Sequence, residues 1–158
     1  SNKAYASAIN YSKVTLKGDL YQTINDRHTL RLSGSYRDSW EDLPDYKIFY
    51  FNNTDEFIGL DYYQLAGAQF ITGRTEYRYR FKKDIFLKLI FNAAFDYRLT
   101  PNPAFNKTTN KPIIGAGIGV QFLSIVGPIE LIVANGDKNI FTDGGRQFLV
   151  YINAGYKF

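Results

Sequence analysis

The 158-residue sequence predicts an all-β fold, an antiparallel transmembrane β-barrel with about eight strands in this chain. Three observations carry that expectation: an alternating aromatic strand at the C-terminus, connections whose lengths alternate, and a composition that combines many aromatics with many charges. At the C-terminus, Phe148, Val150, Ile152, Ala154, Tyr156 and Phe158 share one strand face, and Gln147, Asn153, Gly155 and Lys157 share the other. Period-2 alternation over about ten residues is what a tilted strand needs to cross a bilayer with lipid on one side and a polar interior on the other. An open edge ending in Phe would invite aggregation, and closing the sheet removes that edge.

The earlier elements follow the same rule. Residues 11–24 set Val14, Leu16, Gly18 and Leu20 against Thr15, Lys17, Asp19 and Thr23, and Asn25-Asp26-Arg27 makes a tight turn. Residues 28–38 return with Leu30, Leu32, Gly34 and Tyr36 against Arg31, Ser33, Ser35 and Arg37. A long irregular segment covers 39–68. Residues 69–81 then place Ile71, Gly73, Thr75, Tyr77, Tyr79 and Phe81 opposite Thr72, Arg74, Glu76, Arg78 and Arg80. Lys82-Lys83-Asp84 is the next short turn, and 85–98 return with Leu87, Leu89, Phe91, Ala93, Phe95 and Tyr97 on one face. A second long loop, rich in Pro, Asn and Thr, spans 99–111. Residues 112–123 alternate Ile114, Ala116, Ile118, Val120 and Phe122 with Gly115, Gly117, Gly119 and Gln121; 124–128 turn, 129–134 return, and 135–146 form a third long loop before the terminal strand. Short and long connections thus sort to opposite ends, as periplasmic turns and extracellular loops do in outer-membrane barrels. Seven strands are clear; an even count places an eighth in 1–9, where Tyr5, Ser7 and Ile9 alternate weakly, or outside the chain. A lipocalin-like soluble barrel is the competing architecture.

Aromatics make up 17% and charged residues 22% of the chain, and no stretch approaches the ~20 apolar residues that a spanning helix needs. A helical membrane protein is excluded on that ground. There is no Cys, hence neither a disulfide framework nor a thiolate metal site. The net charge of +4 is dispersed through strands and turns, which fits lumen lining and surface and argues against nucleic-acid binding. Ser1-Asn2-Lys3-Ala4 has neither a basic n-region nor an apolar h-region, so the expectation is a processed chain or a piece of a longer one. No linker divides the sequence; 1–158 is expected to be one outer-membrane β-barrel domain or the C-terminal part of a longer protein.

Gly115-Ala116-Gly117-Ile118-Gly119-Val120-Gln121-Phe122, then Ser124-Ile125-Val126-Gly127-Pro128-Ile129-Glu130-Leu131, a loop and a terminal aromatic strand resemble the end of the bacterial surface antigen barrel. That superfamily includes the outer-membrane assembly factor, two-partner secretion transporters and the barrels attached to patatin-like phospholipases; the last are closest in character. The resemblance implies either the C-terminal half of a 16-stranded barrel or a shortened one of eight strands. It also implies a long loop folded into the lumen with an Arg-Gly-aromatic tip, for which Gln64, Leu65, Ala66 and Gly67 are the candidate, with Gly present and Arg missing. The carboxylate that usually faces that Arg is replaced by Asn92 in Phe91-Asn92-Ala93-Ala94. Loss of both charges together is physically consistent, because one of them alone would be costly in a confined lumen. It turns the expectation toward an anchoring barrel and away from transport. The terminal strand implies an assembly signal at Tyr151, Tyr156 and Phe158, with Asn153 where Gly is usual.

No catalytic, cofactor-binding or metal residues are expected, and the chain is not read as an enzyme. G-x-S-x-G is absent, and the single His28, beside a tight turn, reads as solvated. Arg74, Glu76, Arg78, Arg80, Lys88, Asp96 and Arg98 lie on the polar side of adjacent strands and form a candidate lumen charge network, read first as a polar plug. Gly115, Gly117 and Gly119 read as room for strand curvature or for close packing of the inserted loop. Expected partners are outer-membrane lipid and lipopolysaccharide, the barrel assembly machinery during insertion, and a further copy in a homodimer or larger membrane complex, in the outer membrane of a Gram-negative bacterium. Membrane anchor or translocation pore is the leading function. A stand-alone small barrel whose loops at 39–68 and 99–111 carry a surface enzyme or adhesin role is the alternative.

Overall fold

A computed structural model describes residues 12–39, 49–50, 54–60, 66–67, 69–98, 112–125, 127–137 and 145–155. Nine strands occur among them: β1 (Lys13–Asn25), β2 (His28–Ser39), β3 (Phe49–Tyr50), β4 (Ala66–Gly67), β5 (Gln69–Lys82), β6 (Ile85–Arg98), β7 (Ile113–Ser124), β8 (Gly127–Asp137) and β9 (Arg146–Ala154). Seven form one antiparallel sheet in the order β1-β2-β5-β6-β7-β8-β9, with β1 and β9 at its edges. Every neighbouring pair is a sequence-adjacent meander step except β2 to β5, where the loop holding the small β3-β4 pair intervenes. The sheet is therefore a wall of the expected barrel type, left open among the described residues. The weak strand expected in 1–9 lies outside them. No described helix is long and apolar enough to cross a membrane, which leaves crossing to strands.

Local chemistry sets the turns. Asn25 caps the β1-β2 hairpin by accepting from the Arg27 and His28 backbone N–H groups at 2.9 and 3.0 Å, the usual Asx device of tight turns. Strand lengths of 9 to 14 residues suit tilted bilayer crossings. The two faces differ as the alternation predicts. Leu89, Ile118, Val150 and Ile152 are exposed on the outer face, whereas the opposite face buries Arg74, Glu76, Lys88 and Asn92. Large apolar groups outside and charges inside invert a soluble protein, and they fit lipid outside with a polar lumen inside.

Register fixes two rows on the inner face. One runs Arg74, Asn92, Gly115, Gly136 and Gln147 across β5 to β9; the next runs Glu76, Ile90, Gly117, Ala134 and Leu149. The glycines make a shallow track in the wall. β8 is longer than the 129–134 expected from sequence, because Gly127 and Pro128 begin it, opposite Ser124 and Leu123, and Gly136 and Asp137 extend it. Pro is tolerated at a strand start, where little hydrogen bonding is forfeited.

Candidate functional site: a loop seated on the inner wall

Residues 54–60 lie against the glycine track. Asn92, wholly buried on β6, brackets one residue of the loop: the Ile58 N–H donates to Asn92 Oδ1 at 3.0 Å, and Asn92 Nδ2 donates to the Ile58 carbonyl at 3.2 Å. A side-chain carboxamide thus plays the part of a neighbouring strand. The Ile58 backbone comes so close to β7 that a Cβ on Gly115 would sit 1.9 Å from its carbonyl oxygen. At Gly136 on β8 an added Cβ would sit 2.0 Å from the Gly59 oxygen. Only glycine admits a backbone at that distance. Gly59 has φ of 90°, a left-handed conformation that disfavours other residues.

The terminal strand holds the loop's other side. The Gly59 N–H donates to Tyr151 Oη at 3.0 Å, and Tyr151 Oη donates to the Leu60 carbonyl at 2.8 Å. At the near end, Arg74 donates to the Thr54 carbonyl at 2.5 Å, while Asn153 Nδ2 lies 3.2 Å from Thr54 Oγ1. Glu56 joins Arg37 of β2 at 2.6 Å and Lys17 of β1. Burial would raise the Glu56 carboxyl, but its hydrogen bonds from Lys17 and Arg37 outweigh that and hold it below the ordinary range. The tie is therefore in place at neutral pH and is lost as pH falls through that depressed value. Apolar contacts complete the seat: Phe57 and Leu60 pack with Phe70, Ala94 and Ile113, and Ile58 packs with Ile90, Ile132 and Ala134.

Beside the loop lies a buried ion cluster. Glu76 accepts from Arg74 at 2.9 Å, and Arg78 and Lys88 are each 3.3 Å from it; Lys88 also reaches Glu130 at 2.5 Å. Asn153 donates to Glu130 at 3.2 Å. Four of the seven residues proposed from sequence for a lumen network are thus joined. Arg80 instead lies over the Phe86 ring, 5.7 Å from its centroid, and Asp96 and Arg98 lie on β6 with side chains outside the described residues. Sequence reasoning missed Glu130 and Asn153. The signal was present, since both share the face of Gln121 by strand parity.

The other sequence candidates fall as follows. Gln64 and Leu65 lie outside the described residues, and Ala66 and Gly67 form β4, paired with Tyr50 and Phe49. The segment that reaches Asn92 comes earlier, at Ile58. Tyr156 and Phe158 lie outside the described residues. The Tyr151 side chain points inward to the loop. His28 is half-buried at the hairpin rim, its ring nitrogen at the Tyr77 hydroxyl and its ring 5.1 Å from that of Tyr79. No group of three or more His, Asp or Glu able to hold a metal occurs among the described residues.

An antiparallel wall with lipid-type residues outside, charges inside and a loop pinned across its inner face defines the outer-membrane barrel class. Within that class a profile of the Omp85 superfamily domain matches residues 2–158, and the chain belongs to the Omp85 superfamily. That domain points to an outer-membrane protein involved in assembly or translocation. No curated protein matches the chain.

Proposed function

We propose that this chain is wall and plug of an outer-membrane barrel that anchors its protein in the membrane, in the manner of the barrels attached to patatin-like phospholipases, with the lumen kept closed by residues 54–60. The observation that carries this reading is the neutral lock. Asn92 stands for the usual carboxylate and Ile58 for the usual Arg, so at Ile58 the loop is held through its backbone and through an apolar side chain packed on Ile90, Ile132 and Ala134, with the Glu56 ion pairs to Lys17 and Arg37 nearer its start. A solvated ion pair can exchange partners with a passing charged client. A packed aliphatic seat has no such alternative, since releasing it exposes apolar surface and strands the Asn92 amide. The terminal strand carries the signal for the assembly machinery, with Tyr151 serving the loop as well. Planar-bilayer recording tests the closed state: the native protein is expected to show no steady conductance, and Asn92→Leu or removal of 54–60 to open one. A native protein that conducts as well as the loop-deleted form overturns the proposal. A translocating barrel is the second reading, favoured by two polar cavities of about 210 and 190 Å³ beside the loop that share Arg31 and Asp55.

A further inference from the structure

The outer wall is not uniform. A cleft of about 540 Å³ opens on it where Ala116 of β7 lies between Phe91 of β6 and, across Asn135 of β8, Phe148 of β9. Ala116 is a small residue between the Phe91 and Phe148 rings, with Asn135 intervening, so the wall is notched there. A second apolar cleft of about 330 Å³ shares Leu89, Ile118 and Val133 and carries the groove on to Val120. From Ala116 to Val120 the groove follows four residues of extended chain, roughly 13 Å. Its lining is apolar apart from Thr75, Tyr77, Lys88 and Asn135.

One same-face step beyond Ala116 toward the long-loop rim, the wall turns polar. Arg146 pairs with Asp137 in the ladder, and its guanidinium is fixed by Asn135 Oδ1 at 2.5 Å and by Asp137 Oδ1 at 3.5 Å. Asn135 is itself anchored to the Gln147 carbonyl, and Asp137 to the Ile114 N–H. These contacts use Arg146 Nε and Nη1, and the side chain remains half-exposed beside the rim end of the groove, where its neighbours Asn135 and Phe148 line the cleft. An oriented guanidinium one step beyond the rim end of an acyl-sized apolar groove matches a lipid that carries a phosphate above its chains.

We propose that this groove is a lipid site, occupied by the lipid A portion of lipopolysaccharide, with an acyl chain along Ala116, Ile118 and Val120 and a phosphate at Arg146. The long-loop rim is the outer-leaflet side in barrels of this type, which selects lipid A over the phospholipids of the other leaflet. The site needs only a lipid-facing wall and stands whether or not the lumen is closed. Arg146 supplies the selectivity for phosphate and Ala116 the space for the chain.

Native mass spectrometry of the full-length protein in detergent micelles, titrated in parallel with diphosphorylated lipid A, its dephosphorylated form and phosphatidylglycerol, tests the site. The native protein is expected to retain diphosphorylated lipid A about tenfold better than either other lipid. Arg146→Gln, an exposed substitution, should abolish that preference, and Ala116→Trp should reduce retention of both lipid A forms. Equal retention of the three lipids by the native protein, or an unchanged preference in Arg146→Gln, overturns the proposal.

Discussion

Glu76→Ala is expected to destabilise the barrel by roughly 3–5 kcal/mol, the usual cost of removing one partner from a buried ion cluster. Glu76 is 3% exposed and, among the described residues, is the only carboxylate paired with Arg74, itself 3% exposed. Lys88 keeps Glu130 and Arg78 is partly solvated, so the penalty concentrates on Arg74. Glu76→Gln separates charge from volume: it preserves shape and hydrogen-bonding capacity, and should still lose most of the same free energy. Urea unfolding of protein refolded in liposomes, read by the loss of the heat-modifiable folded band, measures both. A loss below about 1 kcal/mol would show that lumen water screens these cations as it does surface pairs.

The second large effect belongs to Gly115. Its α-carbon faces a backbone oxygen, which cannot rotate away as a flexible side chain would, so Gly115→Ala should force the Ile58 carbonyl off the wall. Overpacking of this kind costs about 1–3 kcal/mol, and the parted Asn92 amide and Ile58 backbone add their own loss. Gly73→Ala is the matched control, because a Cβ there meets nothing within 4 Å and relieves the entropy of a strand glycine. Chymotrypsin should cleave the 54–60 segment in Gly115→Ala and spare it in the native protein and in Gly73→Ala. A loop equally protected in all three would mean that the glycine track does not hold it.

Much of the wall was legible because its rules are local. Alternation assigns each of Leu89, Ile118, Asn92 and Gln121 to a face, and Asn25-Asp26-Arg27 spells its own turn. The ends of β8 were hidden because Gly127, Pro128 and Gly136 are breakers by composition. There they act as a strand start and as a surface for the loop, roles that only the tertiary neighbours define. The tiny β3-β4 pair leaves no periodicity at all. The seat is the clearest case of illegibility: Ile58 is held by its N–H and C=O, which every residue but proline has, so nothing in its side chain marks it. The resemblance placed the loop-facing position at Asn92 and the tip candidate at Gln64-Leu65-Ala66-Gly67, of which Gln64 and Leu65 lie outside the described residues; the described segment on Asn92 is 54–60. Gly115, Gly117 and Gly119 read as room for strand curvature or for the inserted loop; the first two lie under Ile58, and Gly119 faces Ile132 and Leu131 instead.

The seating of 54–60 inside the wall is the central claim, and the absence of cysteine makes it directly measurable. Thr54 and Asn153 are hydrogen-bonded across the lumen, 3.2 Å apart at their polar atoms, whereas Ile152, next along the same strand, points outward and is 75% exposed. Thr54→Cys/Asn153→Cys in outer-membrane fractions, treated with a short bifunctional thiol reagent, should give a crosslinked band that migrates faster after denaturation, and Thr54→Cys/Ile152→Cys should not. Absence of the first crosslink, or equal yields from the two pairs, would place the loop elsewhere and contradict the plugged barrel.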